Sequence, residues 1–264
     1  MKALNLKVAN WVLEIRGLEG EFVEEFKKHY YLFLSEEKPR FSLEIIFSEE
    51  PKSINTEEAG LKFLNSRKIV ILDDYIISEI DFLQGYGKIK INPQSFLYSL
   101  GTILRNLFIL LLVLKDKGLV FHAVGILNEG AVDIFFGPTQ AGKTTVANLS
   151  KDKVVLSDDL ILVREEEAKF VVYPTPNWGD LQYGEKNNRA YPLRRIFRLI
   201  KDKNNYLEKI SLSQSLAEVF TIPHIAPEFV PYPELIERYE RLLSKTDYYR
   251  LHFLPDNSFW RLIG

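Results

Sequence analysis

The chain has 264 residues, of which 46% are hydrophobic, and a formal net charge of −2. This length and composition can bury a sizeable core, and without a basic excess nucleic acid is not an expected partner. Because cysteine is absent, disulfides, thiolate zinc sites and cysteine nucleophiles are excluded.

Neither the N-terminus nor the most apolar stretch of this sequence indicates a membrane protein. Residues 1–7 lack the apolar run and small residues that are typical of a secretory signal. The most apolar stretch, 107–114, is flanked by Arg105 and Lys115 and is shorter than the roughly 20 residues that span a bilayer. We therefore expect a cytoplasmic protein without membrane contact, in which this stretch forms a buried helix.

The first part of the chain, residues 1–92, alternates short β-like runs with a charged helical segment at 21–28. Short alternating runs broken by turn residues favour strands, whereas the charged segment has helical periodicity. We predict a small α+β unit over residues 1–92.

A helix is predicted next, because Asn92 and Pro93 supply an N-cap and a first-turn proline. Its apolar residues recur at helical spacing, and they are Phe96, Leu100, Ile103, Leu104, Leu107 and Leu111. We predict that this helix, within residues 93–118, connects the first unit to a nucleotide-binding domain over 119–264.

Two β-like runs, 119–127 and 131–136, open the last part of the chain. A short turn, Asn128-Glu129-Gly130, separates them, and glycine adopts positive φ there without strain. Together the runs predict a β-hairpin. Residues 144–149 then have the composition of a helix, so a strand, a loop and a helix follow one another.

The loop between that strand and helix has the Walker A pattern. Its residues, called the glycine-rich loop below, are Gly137, Pro138, Thr139, Gln140, Ala141, Gly142, Lys143 and Thr144. Such a loop surrounds phosphate oxygens with backbone N–H groups at a helix N-terminus. Lys143 would contact the β- and γ-phosphates, Thr144 would hold Mg²⁺, and Thr145 completes the nucleotide contacts. The alternative is an ordinary glycine turn.

Two adjacent carboxylates, Asp158 and Asp159, end the apolar run 154–157. Ligand sites of parallel sheets are built at the ends of strands. One carboxylate could bind magnesium while the other acts as the general base for an attacking hydroxyl. The alternative is a solvated turn at the end of the strand.

These features together resemble the catalytic core of the HPr kinase/phosphorylase family over residues 119–165. The resemblance lies in Phe121-His122-Ala123-Val124-Gly125, the hairpin, the glycine-rich loop and Leu156-Ser157-Asp158-Asp159. It implies an α/β fold shared with ATP-dependent phosphoenolpyruvate carboxykinases, in which a hairpin enters the P-loop and the sheet is therefore mixed. We expect the ligand pocket to lie at this loop.

The resemblance also implies roles for single residues and for cofactors. His122 and Asp158 would lie beside the transferred phosphoryl group with Lys143, and Asp159 would support the metal with Thr144. The cofactors would be ATP and Mg²⁺. Judged without the resemblance, His122 is more typical of a packed strand residue.

The sequence departs from HPr kinases at two places. Thr145 stands where the family has an acidic residue, and segments 175–180 and 188–193 replace the part associated with phosphorolysis and HPr docking. This later pattern resembles HPr-kinase-related proteins found beside peptide-modification genes, including lasso peptide kinases. Arg189 or Arg194 could act as an arginine clamp on phosphate, although basic residues in such a segment are more often solvated.

The sequence leaves two classes of function open. The first is an ATP-dependent kinase that transfers the γ-phosphoryl group to a hydroxyl of a peptide, protein or small molecule. The second is a nucleotide-regulated binding or chaperone protein without transfer. The acceptor and any homo-oligomer stay unidentified, and His224 and His252 lack metal-ligand spacing, so both are expected to be structural.

Overall fold

The computed structural model describes residues 3–49, 60–64, 68–73, 75–176, 188–221 and 230–264. The chain divides into two compact units, Met1–Phe108 and Ile109–Gly264. Each unit contains a sheet with parallel and antiparallel strand pairs, so the fold is mixed α/β. Residues 177–180 and His224, which the sequence singled out, lie outside the described residues.

The first unit is a sheet with a helix inserted after its first hairpin. Its elements are β1 (Leu4–Val8), β2 (Trp11–Arg16), α1 (Glu21–Tyr30), β3 (Leu34–Ser35), β4 (Phe41–Phe47), β5 (Gly60–Phe63), β6 (Lys68–Asp73), β7 (Ile76–Asp81) and β8 (Tyr86–Ile91). The strand order is β3-β1-β2-β4-β8-β7-β6-β5. The helical segment predicted at 21–28 lies within α1.

One face of this first sheet is buried and the other is polar. In β4, Leu43 and Ile45 are buried, whereas Ser42 and Glu44 between them are partly exposed. Side chains alternate between the faces of a strand, so this pattern fixes the register of each strand pair. The unit therefore buries one side of its sheet and solvates the other.

The predicted helix begins as a turn of 3₁₀ helix, Pro93–Ser95, and continues as α2 (Phe96–Leu110) and a π-helical turn, Leu111–Lys115. The side chain of Asn92 accepts a hydrogen bond from the backbone N–H of Gln94, which confirms the N-cap. By length and composition the stretch Pro93–Lys115 could cross a membrane, although 56% of its most apolar window is buried. Such burial is typical of a core helix.

The second unit is built on its own mixed sheet, with helices packed along it. Its strands are β9 (Leu119–Asn128), β10 (Ala131–Phe136), β11 (Val154–Ser157), β12 (Leu160–Glu166), β13 (Lys169–Tyr173), β14 (Tyr191–Lys201), β15 (Tyr206–Lys209) and β16 (Asp247–Phe253). Its helices are α3 (Lys143–Asn148), α4 (Leu212–Val219), α5 (Tyr232–Lys245) and α6 (Trp260–Ile263). Strands β9 and β10 pair antiparallel, which confirms the hairpin.

Strand directions in the second sheet define two edges that matter for function. Strand β14 pairs in parallel with both β10 and β16, and β11 runs with them because it is antiparallel to β9. All four strands thus end at one edge, which we call the carboxyl edge, and begin at the opposite amino edge. The segments that follow these strands emerge at the carboxyl edge.

The two faces of this sheet bury separate apolar clusters. One contains Phe136 and Tyr248 with Val219 of α4 and Leu242 of α5. The other contains Phe135 and Phe253 with Val146 of α3 and Ile263 of α6. Helix α3 therefore packs through its apolar residues, and this packing fixes the loop that precedes it.

Candidate functional site

The glycine-rich loop leaves β10 at the carboxyl edge and enters α3. Gln140 has φ 67° and Gly142 has φ 109°, so two residues with positive φ lie on either side of Ala141, whose φ is not positive. The backbone N–H of Ala141 donates to the carbonyl of Pro138 at 3.0 Å. Alternation of this kind turns successive N–H groups toward one concave face, which is the geometry of an anion-binding nest.

Both glycines of the loop are required by space. A Cβ atom on Gly137 would lie 2.6 Å from the Cβ of Ala141, and one on Gly142 would lie 2.7 Å from the ring of Phe253. Such distances are far below van der Waals contact. The sequence pattern therefore reflects close packing of the loop against itself and against the end of β16.

Lys143, the first residue of α3, reaches back over the loop. Its Nζ atom donates to the carbonyl oxygens of Gly137 at 2.9 Å and Pro138 at 3.4 Å. Desolvation lowers the pKa of the ammonium, and the negative charge of Asp159 opposes that shift. The ammonium is thus half-buried at the loop, while Thr144 beside it is exposed.

The turn that carries Asp158 and Asp159 joins β11 to β12 and is held from within. The buried hydroxyl of Ser157 accepts hydrogen bonds from the N–H groups of Asp159 at 3.4 Å and Leu160 at 3.2 Å. The buried hydroxyl of Thr175 donates to the carbonyl of Leu160 at 2.9 Å. The two bonds of Ser157 are local hydroxyl-to-backbone bonds, which fix turns, whereas the Thr175 bond comes from the segment that follows β13.

The sequence did not indicate that the hydroxyls of Ser157 and Thr175 hold the backbone around the Asp158–Asp159 turn. Ser157 could have been found from its place at the end of an apolar strand, where a hydroxyl often closes a turn. Thr175 gives no local signal, because its partner Leu160 precedes it by a whole hairpin.

His122 lies on β9, opposite Leu160 of β12. Its Nε2 atom is 3.7 Å from Oδ1 of Asp159, and the two side chains are 46% and 23% exposed. The N–H of the next residue, Ala123, donates to the backbone carbonyl of Asp159 at 3.2 Å. Asp158, by contrast, is only 8% exposed. The structure therefore brings His122 and Asp159 together, and the charge of Asp159 acts on Lys143.

Asp159 and Thr144 carry oxygen atoms of the kind that could bind a magnesium ion. Among the described residues, no cluster of three His, Asp or Glu side chains is arranged to bind a metal. Mg²⁺ usually keeps several waters and takes one or two carboxylates together with phosphate oxygens. A site with one carboxylate and the Thr144 hydroxyl fits that chemistry.

The arginine-clamp alternative fails for Arg194. Its guanidinium donates to Asp133 at 3.1 Å and 2.6 Å and to Glu129 at 3.0 Å, near the amino edge. Because β14 pairs in parallel with β10, the start of β14 lies beside the start of β10, away from the glycine-rich loop. Arg189 is exposed, and His252 binds Asp202 at 2.9 Å, which agrees with a structural role.

A cleft of about 590 Å³ lies at the amino edge, between α4, the end of α5 and the starts of β14 and β16. Its lining includes Arg194, Lys209, Leu243 and Tyr248, and no residue of the glycine-rich loop. The expectation of a pocket at the loop is not met by this cleft. Residues 138–140 of the loop are exposed, so this part of the loop lies at the surface.

The second unit is thus an α/β sheet whose carboxyl edge combines a glycine-rich loop with paired carboxylates. A family model described as SynChlorMet cassette protein ScmC matches residues 94–224, just under half of the chain. The solved structure of the Hpr(Ser) kinase/phosphatase from Coxiella burnetii is similar with 14% identity, over 48% of this chain and 99% of that chain, with a TM-score of 0.27. No curated protein matches the chain significantly.

Proposed function

We propose that this protein is an ATP-dependent kinase of the HPr kinase type, which transfers the γ-phosphoryl group to a hydroxyl of a peptide, protein or small molecule. One observation carries the proposal: Lys143, the Asp158–Asp159 turn and His122 converge beside the glycine-rich loop. Phosphoryl transfer requires positioning and charge stabilisation above all. A phosphate cradle with a cation, a metal ligand and a base supplies these requirements.

Nucleotide binding is the part of this proposal that rests on the loop. The N–H groups of the nest would surround the phosphates, and the ammonium of Lys143 would exchange backbone carbonyls for phosphate oxygens. That exchange is favourable because the ammonium is partly desolvated where it lies. Thr144 and Asp159 would hold Mg²⁺, which neutralises charge on the β- and γ-phosphates.

Transfer is assigned to Asp158 and His122. Asp158 would take the proton of the acceptor hydroxyl while the oxygen of that hydroxyl forms a bond to the γ-phosphorus. The bond between the γ-phosphorus and the oxygen that bridges it to the β-phosphate would break, which releases ADP. His122 would donate to the phosphoryl oxygens from the side of Asp159. Ser157 would act as a positioning residue, because its hydroxyl holds the backbone of the turn.

The acceptor is left as a class of hydroxyl compound. HPr is not expected to be a good acceptor, because Thr145 and segment 188–193 depart from the HPr kinase pattern. We place the protein in the cytoplasm, where ATP and Mg²⁺ are available, with neither nucleic acid nor membrane as partner. In the second candidate function, nucleotide-regulated binding, Lys143 and Thr144 would be needed but Asp158 would not.

The two functions are separated by Asp158→Asn, measured with γ-labelled ATP and Mg²⁺ and water as the first acceptor. We expect the transfer rate to fall about 10²–10⁴-fold, the usual contribution of a general base, while ATP affinity changes little. Asp152→Asn is the matched control, since Asp152 is exposed in the turn before β11. Binding of ATP by the parent without any transfer would favour the binding function. Transfer at the parental rate by Asp158→Asn would contradict the role of Asp158 as the base, and efficient phosphorylation of added HPr would contradict the acceptor assignment.

A further inference from the structure

Two loops at the carboxyl edge flank the glycine-rich loop on the side away from the carboxylates. Residues 202–205 follow β14, and residues 254–257 follow β16, both of which run parallel with β10. Strand β9 lies on one side of β10, and the Asp158–Asp159 turn lies on the far side of β9. Strands β14 and β16 lie on the other side of β10. The ring of Phe253, the last residue of β16, packs against Gly142.

These two loops are joined into one surface, which we call the shelf. The side-chain amide of Asn205 donates to the hydroxyl of Ser258 at 2.5 Å and accepts from the N–H of Leu254 at 2.8 Å. The N–H of Asp202 donates to the carbonyl of Phe253 at 3.1 Å. A single asparagine therefore ties the loops to each other, beside a β16 residue that contacts the glycine-rich loop.

We propose that the shelf, residues 202–205 and 254–257, binds the adenine base of the nucleotide; this inference rests on the proposed function. The γ-phosphate belongs on the side of Asp158 and Asp159, where the metal and the acceptor are placed. With the γ-phosphate at this position and the triphosphate extended along the glycine-rich loop, the nucleoside would lie on the opposite side of the loop. The shelf lies on that side, where ligands of parallel sheets bind.

The choice of adenine over guanine follows from the hydrogen bonds that the two carboxylates of the shelf already accept. Asp202 accepts from the N–H groups of Lys203 at 2.6 Å and Asn204 at 3.2 Å, and it also binds His252. Asp256 accepts from the N–H of Ser258 at 2.9 Å and from its hydroxyl. Guanine presents two adjacent N–H donors, which a carboxylate accepts with both of its oxygens, and in each carboxylate of the shelf the Oδ1 atom already accepts two hydrogen bonds.

Carboxamides remain at the surface of the shelf for base recognition. Asn204 and Asn257 are exposed. A carboxamide presents a donor beside an acceptor, the pattern that pairs with the adjacent N6 donor and ring-nitrogen acceptor of adenine. The shelf would thus supply hydrogen-bond partners for adenine, as the glycine-rich loop would supply them for phosphate.

The test is calorimetric titration, with Mg²⁺, of ATP, GTP and inorganic tripolyphosphate. For the parent we expect ATP to bind about tenfold more tightly than GTP, since one bidentate pair discriminates by roughly that factor or more. In Asn204→Ala combined with Asn257→Ala, ATP affinity should fall about tenfold toward that of GTP, with tripolyphosphate affinity unchanged. The control Asn148→Ala removes an exposed amide from the far end of α3 and should leave all three unchanged.

Two results would overturn the inference in distinguishable ways. If the double variant keeps its ATP affinity and its preference over GTP, while Lys143→Ala loses tripolyphosphate, the shelf is wrong and the phosphate site stands. If the parent binds neither ATP nor tripolyphosphate, the proposed function and the inference fail together. Both substituted amides are exposed, so thermal unfolding of the double variant should match the parent and confirm that it is folded.

Discussion

The two edges of the second sheet both carry charged side chains, but they hold them differently. At the amino edge Asp133 is fully buried and binds Arg194 at 2.6 Å and Arg195 at 3.0 Å. At the carboxyl edge His122 and Asp159 are 3.7 Å apart and partly exposed. The first pair of contacts is within hydrogen-bond length, whereas the second exceeds it.

This difference shows which charges a ligand can reach. A buried carboxylate between two guanidiniums is compensated inside the fold, and its removal would leave those charges unpaired. Side chains that keep a quarter to a half of their surface exposed can exchange solvent for phosphate, metal or acceptor. Charge by itself therefore does not distinguish the two edges, and the partly exposed side chains at the carboxyl edge are the ones that we propose to contact the ligand.

The largest effect on stability is expected at the amino edge. Asp133→Asn leaves two guanidiniums facing a neutral amide, so we expect the free energy of unfolding to fall by about 3–5 kcal/mol. Urea denaturation measures this loss, with the exposed Asp152→Asn within about 0.5 kcal/mol of the parent as control. An equal, small effect of both variants would contradict the structural role of the amino edge.

A smaller effect on ligand binding is expected at the carboxyl edge. Asp159→Asn removes the proposed carboxylate ligand of Mg²⁺, so the Mg²⁺ concentration for half-maximal transfer should rise about 10- to 100-fold, as when a metal site loses support. Stability should change little because the Asp159 side chain is partly exposed. Should Asp158→Asn shift the Mg²⁺ requirement and Asp159→Asn abolish transfer instead, the two carboxylates have exchanged roles.

The smallest effect is expected at a surface ion pair that belongs to neither edge. Arg241 and Lys245 hydrogen-bond Glu165 and lower its pKa to about 2. Because the folded pKa lies below the ordinary value of 4.5, the pairing stabilises the fold above pH 4.5 and loses this contribution as the pH falls toward 2. Glu165→Gln should cost less than about 1 kcal/mol at pH 7.

Unfolding free energies of parent and Glu165→Gln, compared across that acid range, measure the effect. The difference between the two proteins should shrink as the pH falls from 4.5 toward 2. A difference that stays constant through this window would show that Glu165 stabilises the fold by packing rather than by charge.

The local parts of the site could be predicted from the sequence, and the long-range parts could not. The hairpin β9–β10, the glycine-rich loop and the strand that ends at Asp158 are each specified by neighbouring residues, and the structure contains them. The pairing of β14 with β10 joins residues about 60 positions apart, and no local pattern encodes it. For the same reason the sequence alone allows Arg194 a role in binding phosphate, whereas the structure pairs it with the distant Asp133.

The shelf illustrates the same limit. Asn205 reads in the sequence as an ordinary loop residue, and its role becomes visible only because β14 and β16 pair and bring residues 49 and 53 positions away within hydrogen-bond distance. Side chains that join two loops depend on strand order. Strand order in turn depends on the whole hydrophobic pattern.

The central claim, that the glycine-rich loop binds a nucleoside triphosphate, is tested most directly by thermal unfolding with and without ATP and Mg²⁺. A ligand at 100 times its dissociation constant stabilises a protein by about 2.7 kcal/mol, so the parent should unfold at a clearly higher temperature with ATP. Lys143→Ala should lose most of this gain, whereas Lys151→Ala, an exposed lysine just beyond α3, should keep it. If Lys143→Ala gains as much stability as the parent, the loop is not the phosphate site.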